Sequence, residues 1–329
     1  MHSQTLSALM TNYNHGHLIG RAIEAVVSQS RLPDEYLILD DASTDNSLEI
    51  IESYASQYPF IRVLRNKQNL GVLESFRRLL EEASGDYIYG GAADDYVLPG
   101  FFESVMKMVR DYPHAGVIFG KVMTCDNQGN RLGVSGVDAW TDPIYADPQR
   151  FLEEYMDVQA ASHSLCSASV LKSSAISEMG GWQRELEAWA DTFIMRAIAL
   201  RHGACYIPEP CTVWTMDPTA YSGEARTNPR ISLDFVTRAA GLMRSGKFKE
   251  LFPETSVRHW ERRYRDSIIH RYEKDLYRSI DRLAGTYGKS LPESSNWQRV
   301  FRRCLKGLLK IPIWQAKRRL QRYQGDLSC

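Results

Sequence analysis

No stretch of this chain stays apolar for more than a few residues, so nothing approaches the ~20 that a membrane-spanning helix needs. No Cys-x-x-Cys pair occurs among the six cysteines, Cys125, Cys166, Cys205, Cys211, Cys304 and Cys329, which argues against a zinc ribbon or a thioredoxin-like centre. No Gly-x-Gly-x-x-Gly follows the first strand pattern, and no Gly-x-x-x-x-Gly-Lys-Ser/Thr occurs anywhere, so the dinucleotide and P-loop fingerprints are absent. The missing Gly-x-Ser-x-Gly elbow leaves a serine hydrolase poorly supported. Met1-His2-Ser3-Gln4 carries no basic and apolar leader pattern, which predicts a cytoplasmic chain with reduced thiols. Lys+Arg and Asp+Glu are both 40, and a net charge of zero does not suit a protein that coats nucleic acid.

What is present reads as globular. Of 329 residues, 43% are hydrophobic and 24% charged. At ~150 residues per domain the length suggests about two domains. The first ~120 residues alternate strand and helix patterns: strands at Thr5–Met10, Tyr36–Leu39, Ile61–Leu64, Tyr87–Tyr89 and Ala115–Met123, with amphipathic helical stretches between them. That order predicts an α/β fold with a mainly parallel sheet flanked by helices, and ligands outside the carboxyl ends of its strands. Cys205–Ile207 and Cys211–Thr215 read as two further short strands, and from about Asn228 the pattern is helical and highly charged. The expected domains are therefore 1–228, with a nucleotide-binding half to about 123 and an acceptor half over 124–228, followed by a helical extension over 229–329.

The neutral total conceals an asymmetry. From Asn296 onward nine basic residues face the single acid Asp326, so this tail carries +8 and the rest of the chain −8. Val300, Phe301, Cys304, Leu305, Leu308 and Leu309 fall on one helical face. Such a stripe either packs on the body or rests on an anionic membrane surface.

Three polar clusters stand at strand ends: Thr11-Asn12-Tyr13-Asn14, Asp40-Asp41 and Asp94-Asp95. Each acidic pair reads as a solvated turn or as chemistry. Asp94-Asp95 suits a divalent cation that neutralises a diphosphate, the obvious device where no P-loop exists. Asp191 opens a helix, either as a first-turn acid stabilised by the helix dipole or as a general base, with Glu185 and Glu187 as the next candidates. His163 and His202 read as structural or surface histidines, since nothing pairs them with a nucleophile.

Taken in order, Thr11-Asn12-Tyr13-Asn14, Leu39-Asp40-Asp41-Ala42-Ser43-Thr44-Asp45, Asn69-x-Gly71, Ala93-Asp94-Asp95 with Pro99, Gly180-Gly181-Trp182 and Ala190-Asp191 resemble the family 2 glycosyltransferases of GT-A fold, over about residues 5–216. The resemblance implies an inverting enzyme that moves a sugar from a nucleotide-sugar, most simply a UDP-sugar, to an acceptor hydroxyl in surface polysaccharide or glycolipid synthesis. Thr11 and Tyr13 would border the base with Asn14 nearby, Asp41 would bind its edge with Asp40 in support, and Arg77 would lie close to the nucleotide. Asp94 or Asp95 would hold Mn²⁺ or Mg²⁺ against the diphosphate, and Asp191 would deprotonate the acceptor. The Gly180-Gly181-Trp182 segment would shape the acceptor pocket. The implied partners are the donor and a saccharide or lipid-linked acceptor, with no nucleic acid; the implied place is the cytoplasm, peripheral to the inner face of the membrane. Three positions depart from the family pattern. Ala92 stands at the first acidic position, Ala190 replaces the Glu before the base, and Trp214-Thr215-Met216-Asp217 replaces a Tyr-Arg-x-His segment, with Asp217 as a substitute oxygen ligand or a turn residue. A nucleotide-sugar-binding protein without catalysis and a scaffold with recruiting helices are the other two readings; donor turnover and nucleotide binding separate them.

Overall fold

The computed structural model describes residues 4–158, 164–217 and 220–286. The chain opens with three strand–helix units: β1 (Leu6–Asn12) and α1 (Gly16–Val27), β2 (Glu35–Asp40) and α2 (Ser47–Gln57), β3 (Ile61–Arg65) and α3 (Val72–Glu82). It continues through β4 (Tyr87–Ala92), β5 (Tyr96–Val97), α4 (Phe101–Asp111), β6 (Val117–Cys125), β7 (Arg131–Ser135) and β8 (Ile144–Ala146). After α5 (Pro148–Phe151) come β9 (Ser169–Lys172), α6 (Ser173–Glu178), α7 (Ala190–His202) and β10 (Ala204–Thr215). Three helices follow, α8 (Tyr221–Thr227), α9 (Pro229–Met243) and α10 (Glu254–Thr286).

The strands form one sheet in the order β3-β2-β1-β4-β9-β6-β10-β5, with β7 on β6 and β8 on β10. Six strands, β3, β2, β1, β4, β6 and β10, run the same way, and β9 is wedged antiparallel between β4 and β6. The mainly parallel α/β fold expected from the sequence is the one observed. β1 and β2 read as near-continuous apolar runs because helices cover both faces of the sheet; Leu6, Leu9, Leu37, Ile38 and Leu39 are wholly buried. On α1, Ile19, Ala22, Ile23, Val26 and Val27 share the buried face at helical spacing.

Two elements differ from expectation. The two short strands expected at 205–207 and 211–215 are one twelve-residue strand, β10, whose register on β6 shifts at Ile207, Pro210 and Thr212. Pro208 and Pro210 lack the N–H that a ladder requires, so the chain bulges there and then resumes pairing. The first compact unit runs from Met1 to Ser267, beyond the boundary expected at 228. α9 belongs to it because Phe235, Val236, Ala239, Ala240 and Met243 are buried, with the Phe235 ring 5.8 Å from Trp189. Trp260 and Tyr264 of α10 are buried in the same unit. Ile268–Cys329 form the second unit, whose described residues are helical. The basic tail from Asn296 and its apolar stripe lie outside the described residues. Among the described residues no helix is long and apolar enough to cross a membrane.

Phe235→Ala therefore removes core rather than surface. Urea denaturation followed by circular dichroism should show a loss of about 3–5 kcal/mol. A loss under about 1 kcal/mol would place α9 outside the folded core.

Candidate functional site

A cavity of about 620 Å³ opens at the C-terminal ends of β1, β2 and β4. Its wall takes Thr11 and Tyr13 from the end of β1, Asp41 from beyond β2, Asn69 and Gly71 from the loop before α3, Asp94 and Asp95 from beyond β4, and Asp191 from the start of α7. The groups on β1, β2 and β4 are brought together because parallel strands end on one edge, and α7 begins beside that edge.

Asp40 and Asp41 diverge because successive side chains at a strand end point to opposite faces, and Ala42 then turns the chain with a left-handed φ of 61°. Asp40 turns inward: its Oδ1 accepts from Asn12 Nδ2 at 3.0 Å and its Oδ2 from the Ser43 N–H at 3.1 Å. Asp41 turns toward the next loop. Its Oδ1 accepts from Asn66 Nδ2 at 2.6 Å and from the Leu70 N–H at 2.9 Å, and its Oδ2 accepts from the Gly71 N–H at 2.9 Å. Gly71 has φ 83°, a conformation that glycine adopts freely. Asp41, itself a lining residue, thus shapes the loop on the wall.

The Asp94-Asp95 turn is clamped by β10. The Thr215 N–H donates to Asp95 Oδ1 at 2.7 Å, the Thr215 hydroxyl donates to the Asp94 carbonyl at 2.7 Å, and Arg21 Nη2 reaches the same carbonyl at 3.1 Å. Burial, and then the Asp94 charge beside it, push the Asp95 carboxyl well above the usual range. On the floor of the cavity β4 supplies Gly90 and Gly91, and the Phe76 ring lies on Gly90 so closely that a Cβ there would stand 2.8 Å from Phe76 Cζ. Trp182 packs on Phe76 with ring centres 4.9 Å apart.

Asp191 is an exposed residue on the cavity wall at the start of α7. The protein around it still shapes its proton affinity: desolvation pushes its carboxyl up to about 6, against hydrogen bonds from Thr192 and the charge of Arg196. Glu187 lines the same cavity with φ 46° and ψ −120°, a strained backbone for a residue with a side chain. Arg238 of α9 pins it, donating to the Glu185 carbonyl at 3.0 Å and to Glu187 Oε1 at 3.2 Å. Asp41, Asp94, Asp95, Glu187 and Asp191 make the wall acidic, and no Lys or Arg lines it among the described residues.

Of the residues expected from the sequence, Thr11, Tyr13, Asp41, Asp94, Asp95 and Asp191 share the cavity; Asn14, Asp40, Arg77 and Asp217 do not line it. Asn14 accepts from the Thr44 N–H at 2.8 Å and fastens the β2–α2 loop. Arg77 faces outward on α3, paired with Glu74 and Glu81. Asp217 lies past the end of β10, its N–H donating to the Thr215 carbonyl at 3.2 Å. Among the described residues no three or more His, Cys, Asp or Glu side chains are grouped to hold a metal, so the expected trio with Asp217 does not form. Of the two alternative bases, Glu187 lines the cavity and Glu185 does not; Arg21, Thr215 and Phe76 enter the site without a motif of their own.

The description "Glycosyl transferase family 2" belongs to the family model that matches residues 7–177, just over half of the chain. "Uncharacterized glycosyltransferase YibD" of Escherichia coli (strain K12) is 37% identical over 106 residues, 32% of this chain and 30% of that protein. "Putative glycosyltransferase EpsE" of Bacillus subtilis (strain 168) is 32% identical over 127 residues, 38% of this chain and 46% of that protein. The matches therefore span less than half the length of these two relatives. Among solved structures, S. aureus TarS 1-349 in complex with UDP-GlcNAc superposes with a TM-score of 0.63 at 15% identity, covering 79% of this chain and 72% of that one. The mannosyltransferase PcManGT from Pyrobaculum calidifontis, in complex with GDP-Man and Mn²⁺, gives 0.55 at 16%, covering 86% and 81%. At such identities the likeness is one of fold.

Ala42→Gly should leave the fold intact and stabilise it by about 1 kcal/mol, since an L-residue in the left-handed region costs about 1–2 kcal/mol. Urea midpoints of the two proteins check this; a lower midpoint would mean that strain at Ala42 is smaller than the entropy glycine adds to the unfolded chain.

Proposed function

The chain belongs to glycosyl transferase family 2, and from that footing we propose that it moves a sugar from a nucleotide-sugar donor, a UDP-sugar in the simplest case, to an acceptor hydroxyl with inversion at the anomeric carbon. The observation that carries this reading is the meeting of Asp191 with Asp94 and Asp95 on one cavity that Thr11, Tyr13 and Asp41 also line. A saccharide or lipid-linked acceptor fits the aromatic wall made by Trp182, Trp214 and Tyr221.

Asp191 takes the proton of the acceptor hydroxyl. The oxygen attacks the anomeric carbon from the face opposite the diphosphate, the bond from that carbon to the leaving oxygen breaks, and the nucleoside diphosphate departs with the electron pair. A carboxylate titrating near 6 is ionised at neutral pH and still basic enough to serve. Thr11, Tyr13 and Asp41 border the nucleoside, and Trp182 positions the acceptor.

A diphosphate does not suit an acidic wall unaided. Burial, and then the Asp94 charge, raise the Asp95 carboxyl, and two adjacent carboxylates on the wall are a donor set that fits a divalent ion, which commonly binds one or two carboxylates plus substrate phosphates. Asp94 and Asp95 would hold Mn²⁺ or Mg²⁺, which supplies charge neutralisation to the leaving diphosphate.

Asp191→Asn should keep donor affinity and lose transfer by about 10²–10⁴-fold. In the parent protein the rate should fall below pH ~6, where Asp191 is protonated, and level off above it. Near-normal turnover in the variant, or an acid limb that persists in it, would move the base elsewhere. The double variant Asp94→Ala/Asp95→Ala should weaken UDP binding measured calorimetrically with Mn²⁺, down to the level the parent shows in excess chelator. Equal UDP affinity in all three conditions would remove the metal from the reading.

A further inference from the structure

His15 lines the cavity that Asp94, Asp95 and Asp191 share, and among the described lining residues it is the one side chain able to carry positive charge. Its backbone is fixed from both sides. Asn14 takes a left-handed φ of 56°, its N–H donates to Ser43 Oγ at 3.0 Å, and its Oδ1 accepts from the Thr44 N–H at 2.8 Å. Gly16 donates its N–H to Asp45 Oδ2 at 2.8 Å, and a Cβ at that buried position would stand 2.2 Å from Asn46 Oδ1. The His15 carbonyl accepts from the Leu18 and Ile19 N–H groups, both at 2.9 Å, and so begins α1. The loop between β2 and α2 thus holds the residue before His15 and the residue after it.

The ring is left over. It does not cap α1 and makes no hydrogen bond with any described residue; the ring beside it is that of His17, with centres 6.4 Å apart. Among the described residues no three His, Cys, Asp or Glu side chains are grouped to hold a metal, so His15 does not join Asp94 and Asp95 as a third ligand. An imidazole presents an N–H in its neutral and its positive form, and the positive form makes the stronger bond to an anion. His15 is also the N-cap of α1, the helix end that favours negative charge. The titratable groups on the elements around it are Tyr13 after β1, His17 on α1, Asp45 in the loop before α2, and the lining acids Asp41, Asp94, Asp95, Glu187 and Asp191. Asp45 is already engaged, by the Gly16 N–H and by the Ser47 N–H at 3.0 Å. A ring held at the cavity by a fixed backbone, with a spare N–H, finds its acceptor in what enters the cavity.

We propose that His15 is a donor-binding residue: its imidazole donates to a phosphate oxygen of the nucleotide-sugar, and its positive form strengthens that bond, so the diphosphate is held by this side chain as well as by an ion at Asp94 and Asp95. The proposal rests on a nucleoside diphosphate occupying this cavity.

The test compares a nucleotide with and without its phosphates. UDP and uridine are titrated calorimetrically into full-length parent, His15→Gln and His15→Arg, in excess chelator so that no ion answers for the diphosphate. The pH is set at about 6 and about 8, a span over which an imidazole loses its proton. Titration of UDP itself and of the cavity acids is common to parent and variant, so the ratio of their affinities isolates His15. His15→Gln should weaken UDP about tenfold at the lower pH, the size of a lost hydrogen bond to a charged group, and severalfold less at the higher. Uridine should bind all three proteins alike. His15→Arg is charged throughout and should bind UDP as the parent does at the lower pH and more tightly than the parent at the higher.

Folded His15→Gln that matches the parent for UDP at both pH values overturns the proposal. An equal loss for UDP and uridine makes His15 part of the base pocket and overturns it too. If His15→Gln fails to fold, His15→Arg decides, and no gain over the parent at the higher pH counts against the proposal in the same way. Where the parent binds UDP only with Mn²⁺, the same ratios taken with Mn²⁺ decide; where it binds GDP instead, GDP and guanosine take the place of UDP and uridine. A parent that binds neither diphosphate, with or without Mn²⁺, sinks the donor reading and the proposal with it; a parent that binds, beside variants that bind equally, sinks only the role of His15.

Discussion

Two hydrogen bonds from one residue tie the halves of this site together. Thr215, at the end of β10, holds the Asp94 carbonyl with its hydroxyl and the Asp95 carboxylate with its N–H, both at 2.7 Å, across 120 residues of chain. Asp95 is buried next to another acid, an arrangement that repels itself and gains nothing from solvent. The clamp keeps that turn in place, so the acidic pair points into the cavity instead of relaxing away from it. β10 also leads from α7, the helix that opens with Asp191. The position of the proposed base relative to the acidic pair is therefore set through a single strand.

Much of the fold was legible because it follows from periodicity. Apolar runs with turn residues between them marked β1 to β4, and the spacing of Ile19, Ile23 and Val26 marked the inward face of α1. The convergence of Thr11, Asp41, Asp94 and Asp191 was legible too, since parallel strands deliver their ends to one edge. The rest depends on direction rather than order. Arg77 sits on the right helix, but Glu74 and Glu81 at helical spacing draw it outward. Asp217 lies next to the clamp in sequence, yet the chain has already turned past the cavity. No pattern distinguishes Arg21 or Thr215 from any other surface Arg or strand Thr, because their roles consist of reaching a backbone carbonyl far away in the chain. The strain at Glu187 has no sequence signature, since a residue with a side chain is not expected at that φ.

The acidic wall gives the cavity a consistent electrostatic character. Among the described residues, a substrate bearing a diphosphate meets five acidic side chains and no lysine or arginine there. Among the described lining residues His15 is the one side chain that can carry positive charge, so a bound cation is the natural counterpart of a diphosphate there. The compact unit that encloses this arrangement includes α9 and the start of α10. The helices that follow the sheet are thus part of the machinery that supports Asp191, as Trp189 wedged against Phe235 and Tyr264 makes visible.

The contact between Gly90 and Phe76 has a bearing on how freely this cavity can be redesigned. The floor under the aromatic pair is bare backbone, so no side chain of β4 can be trimmed there to make room, and any side chain added at Gly90 lifts Phe76 and Trp182 together. Enlarging or narrowing the pocket for a different sugar would have to begin at Phe76, with position 90 free to change only in the same step. The two positions behave as one degree of freedom, and selection acting on either alone meets a closed door.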